Sequence, residues 1–179
     1  MRLRVIAGGL GGRFFDSPAT SVTHPMSERI RGALFNSLGD ITGQTVLEPF
    51  AGSGALSFEA LSRGAQSALL LERDRRAQSA IARNIVALGL DKKATLVKAN
   101  CRQWSETNQH AQFDLLLVDP PYHDMQLSTV TLLIRHLKPK GLMVLSYQGR
   151  GSAPTVNGVV VVRITLYGDA ALAFYRKAA

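Results

Sequence analysis

An α/β fold, a mostly parallel sheet covered by helices on both faces, is what this sequence predicts. Two observations carry it. From Thr45 onward, short apolar runs alternate with helical stretches: Val46-Leu47, Ala68 to Leu71, Thr95 to Val97, Leu115 to Val118 and Leu142 to Leu145. Strands that are apolar without alternation belong to parallel sheets with both faces covered. The end of the chain breaks this rhythm. Val159 to Leu166 and Ala171 to Tyr175 are joined only by Tyr167-Gly168-Asp169-Ala170, too short for a helical crossover. These two strands must therefore be antiparallel. The expectation is a Rossmann-like, mostly parallel seven-stranded sheet ending in an antiparallel hairpin.

Helical patterns fill the intervals at about 55–63, 74–88 and 126–137. In the second, Ala77, Ile81, Ile85 and Leu88 recur every three or four residues, and Gly89 ends the helix. Residues 1–40 read as an N-terminal extension and 41–179 as the core of one domain. Met1 to Asp16 forms a hairpin, with Arg4 to Ala7 and Arg13 to Phe15 as its arms and the glycines Gly8, Gly9, Gly11 and Gly12 at its turn. Ser27 caps a helix through Leu38, with Pro25 before it and Gly39 after it. Ile30, Ala33, Leu34, Ser37 and Leu38 share one face of that helix.

Composition narrows the classes. A chain of 179 residues with 46% apolar residues makes one globular domain. Its single cysteine, Cys101, cannot form an internal disulfide, which suits a reducing compartment. There is no 18-residue apolar run, and Arg2 and Arg4 lead into glycines, not an apolar signal segment. A soluble, cytoplasmic monomer without membrane partner or metal is expected. The net charge of +8 points to a polyanionic partner. Residues 73–102 hold eight basic residues, Arg75 and Arg76 among them, against two acids. Spread through folded elements, these charges form a surface and not a tail; a merely soluble basic face is the plainer reading.

The first core strand ends in Glu48-Pro49-Phe50-Ala51-Gly52-Ser53-Gly54, and a helix follows. In open α/β sheets, ligands bind beyond the carboxyl ends of the strands. A dinucleotide loop requires a third small residue, the last glycine of its pattern, for helix packing near the pyrophosphate, but here that position is Ser57. The second strand ends in Glu72, eighteen residues after Gly54 and placed to accept hydrogen bonds from ribose hydroxyls. S-adenosylmethionine has those hydroxyls and no pyrophosphate, so the loop suits it better than a nicotinamide dinucleotide. An acidic strand end at Glu48 favours its cationic sulfonium, although a surface carboxylate is the plainer role.

The fourth core strand runs straight into Asp119-Pro120-Pro121-Tyr122. The exocyclic amine of guanine or adenine donates its lone pair into the ring and is a poor nucleophile. Two acceptors placed at its N–H bonds, the Asp119 side chain and the Pro120 carbonyl, hold the amine and direct its lone pair toward a methyl donor. Pro120 and Pro121 fix φ and remove two backbone donors, so the acceptors are rigid and unopposed. Tyr122 offers a ring for base stacking, worth about 1–3 kcal/mol in comparable contacts. By itself such a run is also an ordinary turn; its place after the fourth strand favours the catalytic role. The loop does not distinguish guanine from adenine.

The residues resemble a known family, the RsmD-type bacterial 16S rRNA guanine-N2 methyltransferases. Arg4 to Gly8, Leu10 to Arg13, the run His24-Pro25-Met26-Ser27-Glu28-Arg29-Ile30-Arg31-Gly32-Ala33-Leu34-Phe35-Asn36, Phe50 to Leu56, Glu59 to Ala65, Asp119 to Tyr122 and Tyr167-Gly168-Asp169 carry the likeness. The resemblance implies a class I S-adenosylmethionine-dependent methyltransferase fold and a guanine of 16S rRNA, within a 30S particle or assembly intermediate, as substrate. It implies cofactor contacts from Glu48, Phe50, Gly52, Ser53, Gly54, Glu72, Arg73, Asn100 and Cys101. RNA would be met by Arg4, Arg13, His24, Arg29 and Arg31, with Arg75 and Arg76 of the basic face. The chain departs from the family pattern at Glu48 (usually Asp) and the following Pro49, at His24 (Arg), at Met26 (Thr), and at Asn100, where an acid is common. Two other readings stand beside this one: an adenine-N6 methyltransferase on DNA or RNA, and a catalytically silent RNA-binding ribosome assembly factor.

Overall fold

The computed structural model describes residues 1–18, 25–149 and 152–178. Its core is a seven-stranded sheet built from β3 (Thr45–Glu48), β4 (Ser67–Glu72), β5 (Ala94–Lys98), β6 (Phe113–Val118), β7 (Leu137–Gln148), β8 (Val159–Tyr167) and β9 (Ala170–Lys177). The order across the sheet is β5-β4-β3-β6-β7-β9-β8. β3 to β7 pair in parallel, and β9 runs antiparallel to both β7 and β8. The seven apolar runs therefore lie in the seven strands, and the closing hairpin turns at Gly168, whose φ of +59° suits glycine.

The helices are α1 (Glu28–Leu38), α2 (Ala55–Ser62), α3 (Arg75–Ala87), α4 (Cys101–Thr107) and α5 (Leu127–Leu133). Two apolar clusters bury opposite faces of the sheet: one holds Phe35, Phe58, Leu70, Ile81 and Leu115, the other Leu47, Leu71, Trp104, Leu116, Val130 and Met143. Two helices start at side-chain N-caps, that of Ser27 as the sequence implies. Ser27 accepts from the Ile30 N–H, and Asp74 accepts from the Ala77 N–H. The helical pattern read over 126–137 is shorter in fact: α5 ends at Leu133, a single 3-10 turn follows, and β7 begins at Leu137. α4 spans too few turns for an apolar period to register in sequence.

The N-terminal hairpin exists, but its paired arms are β1 (Arg2–Arg4) and β2 (Phe14–Asp16), so Val5 to Ala7 lie outside the ladder. Val5 still donates to the Arg13 carbonyl across the hairpin at 2.8 Å, while the donors of Ile6 and Ala7 are taken up by the core. The Glu59 carboxylate accepts the N–H groups of Ile6 at 2.9 Å and Ala7 at 3.1 Å, and Ser62 Oγ accepts the Leu10 N–H at 2.9 Å. Asn84 on α3 exchanges two hydrogen bonds with the backbone of Asp16. The buried stripe of α1 is also rotated from the expected one, to Arg31, Leu34 and Phe35. Arg31 is turned inward by Glu59 and by the Arg4 carbonyl, to which it donates.

Candidate active site

The chain builds outward from β3 to β4 and β5, then returns to place β6 on the other side of β3. The loops that leave β3 and β6 thus diverge at the crevice where strand order reverses, the position at which open α/β sheets bind ligands. A cleft of about 1030 Å3 opens there, with the β3 loop, the end of β4, the start of α4 and the segment Asp119 to His123 as walls. That is at the upper end for ligand pockets, roughly 300–1,000 Å3, and leaves room for two reactants side by side.

The β3 loop is shaped by its neighbour strand. Glu72 at the end of β4 accepts the Gly52 N–H at 2.8 Å through one carboxylate oxygen and the Asp74 N–H at 2.8 Å through the other. Gly52 and Gly54 take positive φ angles, 56° and 81°. Gly54 does not line the cleft. A Cβ there would meet the Phe58 ring at 2.8 Å, so this glycine serves the turn and the packing of α2.

Glu48 is buried at the end of β3, and its Oε1 accepts from both the backbone N–H (3.1 Å) and the hydroxyl (2.7 Å) of Ser57. Burial pushes its pKa up to about 8 despite those two bonds. The carboxyl is therefore largely protonated at neutral pH.

Asp119 follows β6 directly and is half-buried at the floor of the cleft. Burial raises its pKa to about 6, and the polar Ser146 side chain opposes the shift. Ser146 lies there because β6 and β7 are parallel with Val118 opposite Leu145, so the residue after each strand position falls side by side. The Tyr122 hydroxyl bonds Ser146 Oγ at 2.6 Å, while the Tyr122 residue stays 38% exposed. Ser146 has no signal in the sequence, since it stands inside an apolar strand without a motif. Met26, Ser27 and Ile30 of the N-terminal extension also line the cleft.

The cleft brings together Asp119, Pro120, Pro121 and Tyr122 with Glu48, Phe50, Gly52, Ser53, Glu72, Arg73, Asn100 and Cys101. Asn100 spends its side-chain oxygen as the cap of α4, accepting from Arg102 and Gln103. Among the residues expected to meet RNA, Arg4, Arg13, Arg29, Arg75 and Arg76 are exposed. Arg4 is paired with Glu28 at 2.8 Å, Arg13 donates to the Ala87 carbonyl, and Arg29 lies over the Tyr167 ring. Arg31 is 1% exposed and cannot reach a partner molecule; its part is internal. His24 lies outside the described residues.

Comparison with known proteins places this cleft in context. The family model described as Conserved hypothetical protein 95 matches residues 3–176. Ribosomal RNA small subunit methyltransferase D of Escherichia coli is 32% identical over 159 residues, 87% of this chain and 79% of that protein. The chain belongs to the RsmD-type family. YlbH of Bacillus subtilis, 30% identical, covers 98% of this chain and 99% of its own length. The solved structure of yhhF from Escherichia coli, 30% identical, superposes with a TM-score of 0.89 over 100% of this chain and 99% of that one. The architecture is thus the Rossmann-like fold of S-adenosylmethionine-dependent methyltransferases. Against the RsmD-type pattern, Glu48 in place of aspartate carries an extra methylene, and here Ser57 provides its carboxyl with two hydrogen bonds.

Proposed function

We propose that this protein transfers a methyl group from S-adenosylmethionine to the exocyclic N2 of a guanine in 16S rRNA. The observation that carries the reading is the shared cleft: the glycine loop with Glu72 forms one wall and the Asp119 to Tyr122 loop another. The names of the relatives, small-subunit rRNA methyltransferases, supply the acceptor class.

The donor set fits the cofactor. Glu72 ends its strand beside the glycine loop as an acceptor for ribose hydroxyls, Phe50 and Cys101 give apolar contact, and Asn100 stands at the adenine side. When bound, S-adenosylmethionine supplies an electrophilic methyl group. The protein's own part is positional. Asp119 and the Pro120 carbonyl accept hydrogen bonds from the two amine N–H groups, and Tyr122 gives the base a face to stack on. Holding a weak nucleophile in line contributes several kcal/mol through effective molarity. An electroneutral, protonated Glu48 keeps a second negative charge away from Asp119 until a cation arrives.

The exposed arginines of α3 and of the hairpin suit a phosphate backbone. A cytoplasmic monomer acting on a 30S particle or assembly intermediate completes the proposal, in which the one domain of the described residues meets a prefolded target. No helix among the described residues is long and apolar enough to cross a membrane. Nucleoside mass spectrometry of 16S rRNA from a deletion strain tests the reading. One N2-methylguanosine should be lost, and restored by the wild-type gene but not by D119A. An unchanged N2-methylguanosine content would reject it.

A further inference from the structure

The loop from Asp119 to Gln126 leaves β6 without regular structure until α5 begins at Leu127. A turn bond from the Asp124 N–H to the Pro121 carbonyl at 3.0 Å closes it upon itself. The loop is also tied to the sheet, because the Tyr122 hydroxyl and Ser146 Oγ are hydrogen-bonded at 2.6 Å. The two partners differ in exposure, 2% for Ser146 and 38% for Tyr122. Ser146 belongs to β7, which pairs with β6 on one side and with β9 on the other, where Ser146 is in register with Leu172. Neighbouring strands on both sides therefore hold its backbone in place. A buried hydroxyl on a rigid strand thus grips the far end of a ring that lines the open cleft.

A tyrosine ring swings about χ1 and rotates about its own long axis. The hydroxyl oxygen lies on that axis, so a bond at this atom opposes the swing and fixes where the ring stands. Phenylalanine has the same apolar face but lacks the polar handle. We propose that Ser146 is a positioning residue that pins Tyr122 through its hydroxyl and so presents one fixed ring face to the acceptor base. The proposal rests on the reading of the chain as a methyltransferase of a base amine in RNA. Phosphate contacts outside the cleft hold such a substrate in register, so seating the base beside Asp119 is a step that follows binding. An unpinned ring samples several rotamers, and only the fraction of complexes with the ring in place can seat the base. The tether therefore acts on the maximal rate and not on the affinity for the particle.

The surroundings of Ser146 separate this role from packing. Side chains alternate between the faces of a strand, so Leu145 and Tyr147 join one apolar cluster while Val144 and the cross-strand Leu172 join the other. Alanine at 146 keeps the backbone pairing and the small volume, so S146A removes the hydroxyl and little else. It also leaves the Tyr122 hydroxyl free to bond water, since that residue is partly exposed. Y122F makes the opposite cut: the ring face remains, the handle goes, and the buried Ser146 hydroxyl loses its partner.

The test uses the full chain as wild type, S146A, S146T, Y122F and the double variant Y122F/S146A. Calorimetry with S-adenosylmethionine should give Kd values within about twofold across the set, which verifies the folded cleft. In single turnovers on 30S particles, the maximal rate of S146A should fall about 3- to 10-fold, the worth of one net hydrogen bond, with half-saturation unchanged. Y122F should match S146A, and S146T, which keeps a hydroxyl, should return toward wild type. The double variant should be no slower than either single one, because one tether is lost only once. Carbon-13 labelling of the four tyrosines gives a reading that needs no methylation. In the cofactor-free protein the ring order parameter of Tyr122 should fall in S146A and recover in S146T. A Tyr122 ring as ordered in S146A as in wild type overturns the proposal, as does S146A at the wild-type rate. A double variant slower than both single ones also overturns it, since Ser146 would then act apart from the ring. A wild-type protein that binds the cofactor yet methylates no amine would instead overturn the reading beneath it, with the ring order still reporting the Ser146–Tyr122 tether.

Discussion

Glu72 holds the backbone of Gly52 at 2.8 Å across the ends of two neighbouring strands. A side chain read from sequence as a ribose acceptor is thus also the strut of the glycine loop, because its second oxygen is bonded to the Asp74 N–H. E72A removes both supports together with the proposed ribose contact. Cofactor affinity measured by calorimetry should fall by at least about tenfold, the equivalent of one charge-assisted hydrogen bond. E72Q keeps one acceptor and should lose less. Equal affinity for wild type and E72A would remove Glu72 from the cofactor site.

Asp119 separates binding from chemistry. D119A should bind S-adenosylmethionine within a few-fold of wild type, since the residue lies at the acceptor side of the cleft, while methyl transfer falls by about 10²-fold or more. With its pKa near 6, kcat/KM should rise with pH through that value and level off above it. Retained activity in D119A, or a rate already level at pH 5, would contradict its role.

Much of this was legible in the chain. Seven apolar runs and one short connection specify the sheet and its antiparallel end, because burial on both faces and the length of a crossover leave few alternatives. Asp119 to Tyr122 and Glu72 stand at strand ends, where sequence order alone implies convergence. Ser146 was not legible: only the parallel register of Val118 with Leu145 brings it to Asp119. Arg31 misled for the opposite reason. Its place beside Arg29 suggests a basic surface, but helix phase turns one arginine out and the other in, onto Glu59.

Glu48 makes stability depend on pH. An isolated glutamate ionises near 4.5, whereas in the folded protein Glu48 ionises near 8. Raised on folding, its pKa makes the contribution of Glu48 fully present below about pH 4.5, and that contribution is lost as pH rises toward 8. E48Q, which keeps an acceptor for Ser57 and never ionises, should therefore gain stability over wild type with rising pH. At pH 8 the gain should be on the order of 2–4 kcal/mol, and near pH 5 close to nothing. Parallel denaturation curves at the two pH values check this, and a pH-independent difference would contradict the buried, protonated state.

Arg31 should matter to folding and not to RNA. R31A removes a buried cation that bridges the Arg4 carbonyl and Glu59, although Glu59 retains Arg63 at 2.8 Å. The loss should be about 2–4 kcal/mol, or roughly 5–15 °C in Tm. RNA affinity of the folded variant should stay at the wild-type value. A stable R31A with weakened RNA binding would restore the surface role.

Arg75 and Arg76 open α3 on the exposed side of the cleft region. R75E/R76E should weaken binding to 30S particles without changing affinity for the cofactor. Each lost phosphate contact should lower the slope of log K against log salt by about 0.7–0.9. An unchanged slope would mean that this face is only solvated.

Methyl transfer from labelled S-adenosylmethionine onto 30S particles, naked 16S rRNA and duplex DNA, followed by nucleoside analysis, tests the central claim most directly. Label should appear in N2-methylguanosine of 16S rRNA, faster on particles than on naked RNA. Label in N6-methyladenosine, or no transfer to any substrate by a protein that binds the cofactor, would contradict it.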